Sequence, residues 1–425
     1  MARNKILALI LAGGKGSRLE VLTEERAKPA MPFAGTYRLI DFALSNCMHS
    51  GISDVWVIEQ YHLHSLNEHL ANGRPWDLDR TYGGLQVLPP YESGDEDDND
   101  GGFAEGNADA IYRHRDFIRE FDPDILLVLS ADHIYKLDYS KVIDQHLNRK
   151  ADVTMVTTQI PLEEADRFGN VKTDGEGRIT DFAYKPDEPQ SDIVTTEVFV
   201  YDAHTLLETL DQLAGGNANK GNSGDEGTSL RDFGHELIPK LVEDGRAFEY
   251  RLEGYWQDVG TVESYWQSHM DLLSLELNLV LDDPDWPILT YGSQRLPARI
   301  HETARIENSL ISPGCTIHGQ VIRSVLAPGV VVERDAVVRD SVVLHSTVIE
   351  ARAIVDCAIV DREVRVGEGA IIGQQRSPGN RAPRITSSEI AMIGQKAQIS
   401  AGARLPADAR IKPGINVESS QRQTT

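Results

Sequence analysis

Apolar runs alternate with helical patterns along the first half of the sequence. The first run, residues 6–11, ends in a glycine-rich turn, which is typical of a buried parallel strand that leads into a loop. Alternating strands and helices predict a Rossmann-like α/β domain with a mostly parallel sheet, in which ligands bind at the carboxyl ends of the strands. We place this domain at residues 1–270, with a linker at 271–295. Further apolar runs lie at residues 54–58, 125–129, 153–157 and 198–201.

The pattern changes near residue 296, from which aliphatic residues recur at six-residue steps. An irregular insertion at 374–388 interrupts the step, which then resumes. A hexapeptide period is typical of a left-handed parallel β-helix, in which each short strand contributes one inward aliphatic side chain. We therefore predict a β-helix domain over residues 296–425 that serves as a scaffold and an oligomerisation surface. The aliphatic positions are Ile300, Ile306, Ile311, Ile317, Leu326, Val332, Val338, Leu344, Ile349, Val355, Val360, Val366, Ile372, Ile393, Ile399, Leu405, Ile411 and Val417.

The composition of the chain indicates which partners it is unsuited to bind and which cellular compartment to expect. A net charge of −24 over 425 residues argues against general binding to nucleic acid or to an anionic membrane, both of which need a basic face. No terminal segment is apolar and long enough to span a bilayer, and three scattered cysteines do not make a disulfide framework, so we expect a cytoplasmic protein. Polar stretches at 92–102, which is strongly acidic, and at 215–227 predict exposed loops.

The glycine-rich turn after the first strand is suited to binding an anion. Gly13, Gly14 and Gly16 allow backbone N–H groups to approach phosphate oxygens closely. The spacing fits neither the dinucleotide fingerprint nor the Walker loop, and an ordinary strand-to-helix turn is the alternative. A second group of cations just downstream favours the phosphate interpretation. The cations of this region are Lys15, Arg18, Arg26 and Lys28.

Five motifs, taken in chain order, resemble those of the sugar-nucleotide pyrophosphorylase family, and the resemblance covers nearly the whole chain. It implies a nucleotidylyltransferase that joins a sugar 1-phosphate, most closely glucose 1-phosphate, to ATP and releases pyrophosphate for glycogen-type glucan synthesis. It also implies Mg²⁺ as cofactor and a homotetramer. The motifs span residues 11–19, 26–29, 38–46, 131–135 and 255–261.

The same resemblance assigns roles to individual residues. Asp132 and Asp258 would together hold Mg²⁺, which needs few protein ligands because it keeps several waters. Arg26 and Arg38 would belong to an effector site. The implied catalytic residues are Arg18, Lys28 and Asp132; the nucleotide-binding residues are Leu11, Ala12, Gly13, Gly14, Gly16, Gly106 and Asn107; and the sugar-phosphate-binding residues are Gly169, Tyr184, Lys185, Thr195 and Glu197.

Several residues depart from the family pattern. Tyr184 stands where the family has a glutamate that binds sugar hydroxyls, and Glu197 stands where a glycine is expected. Glu197 would therefore replace the missing carboxylate, pair with the ammonium of an amino sugar, or simply face solvent. Glu105 stands where the family has an arginine, which leaves the base preference open.

Glu24 and Glu25 occupy a stretch that often carries lysine, and their charge would repel an anionic activator, so we expect weak or altered activation.

Two other functions compete with catalysis of this kind. A regulatory subunit that partners an active paralogue would have lost Asp132, Lys185 or Asp258, and all three are present. A hexapeptide-repeat acyltransferase would use a histidine of the β-helix as its base, but that function leaves the first half of the chain unexplained. The histidines available for it are His301, His318 and His345.

Overall fold

A computed structural model describes residues 4–14, 16–90, 104, 106–218, 230, 232–274, 277, 279–292, 294–373 and 385–419. The described part therefore leaves out Lys15 and Glu105. It also leaves out all of the acidic stretch at 92–102, most of the polar stretch at 215–227 and most of the insertion within the hexapeptide repeats. Within these residues, no helix combines the length and the apolar character that crossing a bilayer requires.

The first part of the chain alternates strands with helices. Its strands are β1 (Ile6–Ala12), β2 (Pro32–Phe33), β3 (Tyr37–Arg38), β4 (Asp54–Glu59), β5 (Gly84–Leu88), β6 (Ile125–Ser130), β7 (His133–Tyr135), β8 (Val153–Gln159), β9 (Gly169–Thr173), β10 (Ile179–Tyr184), β11 (Ile193–Asp202), β12 (Ala247–Arg251) and β13 (Trp256–Asp258). Its α-helices are α1 (Ile40–His49), α2 (Leu63–Leu70), α3 (Asn107–Arg113), α4 (Arg115–Phe121), α5 (Tyr139–Arg149), α6 (Ala203–Ala218), α7 (Leu237–Glu243) and α8 (Val262–Asp271). Short 3₁₀ helices cover Ser17–Leu22, Lys28–Ala30, Ala71–Trp76 and Leu162–Arg167.

The second part consists of short strands, with a 3₁₀ helix at Ser387–Glu389. The strands are β14 (Arg299–Ile300), β15 (Arg305–Glu307), β16 (Leu310–Ile311), β17 (Thr316–Ile317), β18 (Gln320–Ile322), β19 (Val325–Leu326), β20 (Val331–Val332), β21 (Val337–Arg339), β22 (Val342–Val343), β23 (Val348–Ile349), β24 (Ile354–Asp356), β25 (Ala358–Val360), β26 (Arg365–Val366), β27 (Ile371–Gly373), β28 (Ala391–Ile393), β29 (Gln398–Ile399), β30 (Arg404–Leu405), β31 (Arg410–Ile411) and β32 (Asn416–Val417).

One compact unit comprises Met1–Gly14, Phe42–Trp256 and Leu281–Leu289, and it contains a mixed α/β sheet. The strand order is β10-β9-β11-β6-β1-β4-β5, and β8 lies between β11 and β12. Strands β6, β1, β4 and β5 run parallel, whereas β11 is antiparallel to β6 and to β8. Apolar side chains on one face of the parallel strands pack with those of α3 and α6 into one core. The predicted Rossmann-like class is confirmed, with more antiparallel pairing than the sequence indicates.

The carboxyl ends of β1, β6 and β4 meet at one edge of this sheet. Leu11 of β1 pairs with Ser130 of β6, and Ala12 pairs with Glu59 of β4. Because parallel strands end at the same edge, the glycines that follow β1 and Asp132, which follows β6, emerge on the same side. The fold thus places two of the predicted site segments together.

The second compact unit comprises Lys15–Asp41, Gln257–Val280 and Thr290–Thr425. Strands β14 to β32 form three all-parallel sheets, each built from every third strand in turn, as a β-helix requires. Outside the insertion, equivalent positions of successive coils lie 15 to 18 residues apart, as the pairs Thr316 with Val331, Gln320 with Val337 and Met392 with Arg410 show. The inward positions form an aliphatic core.

The six-residue step predicted from the sequence is close to this geometry but not identical with it. Val343, rather than Leu344, belongs to the core cluster, and the steps from Val321 to Leu326, Val338 to Val343 and Val355 to Val360 are five residues each. Ile300 and Ile306 are 49% and 37% exposed because they lie in the first coil, which has a neighbouring coil on one side only. The predicted domain boundaries, residues 1–270, 271–295 and 296–425, stay a prediction, since compact units and sequence domains are different divisions of a chain.

Candidate active site

The glycine turn begins at the carboxyl end of β1, after half-buried Leu11 and buried Ala12. A side chain at Gly13 would place its Cβ 2.8 Å from Cδ of Gln60, so a larger residue there would require the Gln60 side chain to move. Nothing lies within 4 Å of a Cβ built at Gly14, whose backbone therefore borders open space. Close approach of a ligand to the backbone is possible there.

Asp132 lies at the same edge of the sheet, two residues after β6. Its Oδ1 accepts a hydrogen bond from the hydroxyl of Ser130 and lies 3.7 Å from Nε2 of His133. His133 is fixed in turn, because its Nδ1 hydrogen-bonds to the backbone oxygen of Thr196 at 2.9 Å and its ring packs edge-on against Trp256. The Asp132 side chain is 18% exposed and can therefore reach a ligand.

A pocket in the α/β unit contains all five predicted sugar-phosphate residues. Its empty volume, which includes space open to solvent, is about 410 Å³. Asn107, the first residue of α3, also lines the pocket, next to Gly106, which precedes the helix. The remaining lining is largely aromatic. The lining residues are Asn107, Phe168, Gly169, Phe182, Tyr184, Lys185, Thr195, Glu197, Phe199, Asp232, Phe233, Gly234 and Ile238.

A chain of hydrogen bonds crosses one wall of this pocket. Nζ of Lys185 donates to the Tyr184 hydroxyl at 2.7 Å, and that hydroxyl donates to Oδ2 of Asp232 at 2.8 Å. The other oxygen of Asp232 accepts from the backbone N–H of Asn107 at 3.2 Å. An ammonium can only donate, so the phenolic proton must point to Asp232. Burial and then the Asp232 carboxylate raise the pKa of Tyr184, which keeps the hydroxyl neutral.

The loop that carries Asp232 is shaped to hold Tyr184. A Cβ at Gly234 would lie 2.0 Å from the Tyr184 ring, so only glycine allows the ring to pack there. The ring of His235 meets the same tyrosine edge-on, with ring centroids 4.8 Å apart. The resemblance to the family drew attention to Tyr184 but not to Asp232, because 48 residues separate the two in sequence.

Glu197 and Thr195 of β11 also line the pocket. The pairing of β11 with β8 is irregular between Thr195 and Phe199, and Glu197 has φ 54°, as a bulged residue would. One carboxylate oxygen of Glu197 lies 4.0 Å from Nε2 of His133. Glu197 thus lines the pocket, with its side chain 38% exposed. Gly169 lies beside Thr195, and a Cβ there would come within 2.8 Å of the Phe182 ring.

The β-helix unit holds the other predicted catalytic residues. Gly16 has φ 69° and precedes the 3₁₀ helix that contains Arg18. Nζ of buried Lys28 lies 3.9 Å from Oδ1 of Asp258. A Cβ at Gly260 would lie 2.8 Å from Oδ2 of Asp258 and 3.3 Å from Nη2 of Arg18. Both cations therefore lie close to this carboxylate and Gly260.

The two predicted metal ligands have chemistry that fits Mg²⁺. Both are carboxylates, the hard oxygen donors that this ion prefers, and their side chains are 18% and 16% exposed for Asp132 and Asp258. No group of three or more His, Cys, Asp or Glu side chains suited to a metal occurs in the described part of the chain. An ion bound by these two aspartates would therefore complete its coordination with water and substrate oxygens. That they share one ion stays a prediction, because each belongs to a different compact unit.

Of the two predicted effector residues in the β-helix unit, Arg26 is buried and Arg38 is half-buried. Nη2 of Arg26 donates to Oδ1 of Asp361 at 2.9 Å and to Oε1 of Gln395 at 3.2 Å. The backbone N–H of Arg38 donates to Oδ2 of Asp41 at 2.7 Å, and burial lowers the pKa of the Arg38 guanidinium to about 10. Burial and the neighbouring arginines, Arg38 first, lower the pKa of His345 to about 3, so this histidine is neutral.

Comparison with known proteins gives a consistent match. The nucleotidyl transferase family model matches residues 7–274, and a model described as GlmU-like C-terminal hexapeptide matches residues 296–393. A glucose-1-phosphate adenylyltransferase of Pseudothermotoga lettingae is 43% identical over 422 residues, which cover 99% of this chain and 96% of that protein. Enzymes of the same name from Clostridium botulinum and Thermotoga neapolitana are 44% and 43% identical over 79% and 78% of this chain, which correspond to 84% and 76% of those proteins.

Proposed function

The chain belongs to the nucleotidyl transferase family, and on this premise we propose that it joins α-D-glucose 1-phosphate to ATP. A phosphate oxygen of the sugar phosphate attacks the α-phosphorus of ATP, the bond from that phosphorus to the bridging oxygen breaks, and pyrophosphate leaves. The product is ADP-glucose, a donor for glycogen-type glucan synthesis. The observation that carries the proposal is the match to a glucose-1-phosphate adenylyltransferase along 99% of the chain.

The chain's own cations have clear tasks in such a reaction, because every reactant is an anion. Lys185 would bind the phosphate of the sugar, and the hydrogen bond from its Nζ to the Tyr184 hydroxyl would position the ammonium group for this. Arg18 and Lys28, which lie close to Asp258, would neutralise the charge that develops on the departing pyrophosphate. The backbone at Gly14 would bind nucleotide phosphate.

Family members generally use a divalent metal ion, and we propose Mg²⁺ held by Asp132 and Asp258. When bound, the ion supplies positive charge to the phosphate oxygens. Ser130 and His133 keep the Asp132 carboxylate oriented for this role through the contacts described above. Lys28 does the same for Asp258.

An assay of pyrophosphate release tests the proposal. Purified protein with Mg²⁺ is offered a grid of nucleoside triphosphates and sugar 1-phosphates. We expect the pair of ATP and glucose 1-phosphate to give the highest kcat/KM, or to share it with an amino sugar phosphate. Absence of pyrophosphate release from every pair would refute the proposed function.

A second acceptor is favoured by one observation, the charge of the pocket. Glu197 and Asp232 place two carboxylates in a pocket whose lining carries Lys185 as its cation. Glucosamine 1-phosphate would offer an ammonium to Glu197, whereas glucose 1-phosphate offers none. If this contact forms, Glu197→Gln lowers kcat/KM for glucosamine 1-phosphate severalfold and leaves that for glucose 1-phosphate within twofold. An unchanged ratio between the two acceptors would exclude the amino sugar.

The remaining expectations follow from the family. The regulatory-subunit alternative is not favoured, because the chain retains Asp132, Asp258 and Lys185. We propose a cytoplasmic homotetramer. The effector role of Arg26 and Arg38 also remains a proposal.

A further inference from the structure

The segment that carries Arg18 and Lys28 has little regular structure of its own. It consists of two 3₁₀ helices, Ser17–Leu22 and Lys28–Ala30, joined by turns. Glu20 has φ 50° and ψ −127°, a backbone conformation that residues other than glycine rarely adopt. Inside the segment, the Thr23 hydroxyl donates to the backbone oxygen of Gly16 at 2.8 Å. The other internal hydrogen bonds close its turns, as from Leu19 to Gly16 and from Thr23 to Glu20, and they do not by themselves fix two long cationic side chains.

Polar contacts to the β-helix hold the segment instead. Three glutamates and one arginine of the segment each contact a polar side chain on coils that lie more than 300 residues later in sequence. We call this set the ionic clamp. Its pairs are Glu20 with Arg410, Glu24 with Lys412 at 4.0 Å, Glu25 with Gln395, and Arg26 with Asp361 at 2.9 Å.

The pair of Arg26 and Asp361 is the buried part of the clamp. The two side chains are 6% and 1% exposed, so either charge would be left uncompensated without the other. Gln395 fixes the geometry around them. Its carbonyl oxygen accepts from Arg26 and, at 2.7 Å, from Nε of Arg362, so its amide nitrogen is the atom that donates to Glu25.

The clamp reaches Lys28 through a short, stiff connection. Ala27 is buried, Pro29 follows Lys28, and backbone bonds from Ala30 to Ala27 and from Met31 to Lys28, both 3.0 Å, close the turn. A fixed Arg26 therefore fixes the direction in which Lys28 leaves the backbone. Lys28 then ends 3.9 Å from Asp258.

We propose that Asp361, Gln395 and Arg410 are positioning residues for the reaction, which hold Arg18 and Lys28 beside Asp258 without any added ligand. This inference depends on the proposed function for its kinetic consequence. It also accounts for Glu24 and Glu25, which have partners on the β-helix and do not simply repel anions. A segment held in place by the chain itself does not need an effector to order it, so activation by anionic effectors is expected to be weak.

Charge reversal with rescue tests the clamp. Arg410→Glu should lower kcat/KM for ATP at least tenfold, mainly through kcat, and Asp361→Asn should do the same. The double variant of Glu20→Arg and Arg410→Glu should recover to within about threefold of the parent. Arg365→Glu is the matched control, since Arg365 pairs with Glu350 on the β-helix and makes the same change of charge away from the segment.

Hydrogen exchange gives a readout that does not depend on activity. Amides of residues 16–31 should exchange at least tenfold faster in Arg410→Glu and Asp361→Asn, and at the parent rate in Arg365→Glu. Unchanged exchange in both clamp variants would overturn the inference. Faster exchange with unchanged kcat/KM would overturn the positioning role. If the clamp variants exchange faster but the parent protein itself releases no pyrophosphate, the proposed function and the positioning role are refuted, and the clamp remains as a structural feature.

Discussion

Replacing Tyr184 by phenylalanine removes one oxygen atom that serves two charged neighbours. That oxygen accepts from Nζ of Lys185 at 2.7 Å and donates to Oδ2 of Asp232 at 2.8 Å. The ring itself stays in place, because Gly234 and His235 pack against its carbon atoms. The change therefore deletes the link between Lys185 and the rest of the pocket and leaves the packing of the wall intact.

The size of the effect follows from the two hydrogen bonds. A hydrogen bond to a charged group contributes about 1.5–3 kcal/mol. Lys185 is exposed, so water compensates part of its loss, and the aspartate keeps its bond to the Asn107 N–H. We therefore expect a loss of about 1–2 kcal/mol in binding of the sugar phosphate, or about 5- to 30-fold in affinity.

Steady-state kinetics separate this loss from a general defect. KM for the sugar 1-phosphate should rise by that factor, while KM for ATP changes less than twofold. Tyr250→Phe on β12 is the control, since Tyr250 does not line the pocket. Asp232→Asn should raise both KM values, because Asp232 also holds Asn107 at the start of α3. If Tyr184→Phe raised KM for both substrates equally, or for neither, the hydrogen-bond chain would have no role in positioning Lys185.

Two further predictions concern pH and the metal. Burial raises the pKa of Glu59 to about 7, and Oε1 of this residue has no hydrogen-bond partner among the described residues. In the unfolded chain Glu59 loses its proton near the ordinary pKa of about 4.5, whereas in the folded protein it keeps this proton up to about pH 7. The free energy of unfolding therefore falls as the pH rises from about 4.5 to 7. At pH 8 the free energy of unfolding of Glu59→Gln should exceed that of the parent by at most about 3 kcal/mol, and the difference should shrink toward pH 5. Thermal midpoints measured across this pH range check it, and a difference that stays constant with pH would contradict it. Chelation of divalent cations should abolish pyrophosphate release, and added Mg²⁺ should restore it. Asp132→Asn and Asp258→Asn should each lower kcat at least 100-fold. Full activity of either variant would exclude its carboxylate as a metal ligand.

The elements that the sequence predicted well are those set by local pattern. The apolar runs at 54–58, 125–129 and 153–157 correspond to β4, β6 and β8 with their ends displaced by at most two residues. A buried strand needs only a short apolar stretch, and this stretch is visible without knowledge of its neighbours. The hexapeptide period is similarly visible because each coil repeats the same inward positions.

The features that the sequence did not predict depend on distant neighbours. The run at 198–201 covers only the second part of β11, since Thr195 and Glu197 lie at an irregular pairing and look polar in sequence. The exposure of Ile300 follows from its place in the first coil, where one side has no coil to stack upon. Pattern alone cannot distinguish an end coil from an inner one.

Glu25 shows how a substitution acquires its meaning from a partner far along the chain. From the sequence alone, an acid in a stretch that often carries lysine in the family predicts only repulsion of anions. In the structure, its carboxylate accepts from Gln395, whose oxygen also holds Arg26 against the β-helix. The substitution Glu25→Lys would place an ammonium opposite the Gln395 amide nitrogen, which can only donate. The amide would then be less firmly oriented, and its hydrogen bond with Arg26 would weaken.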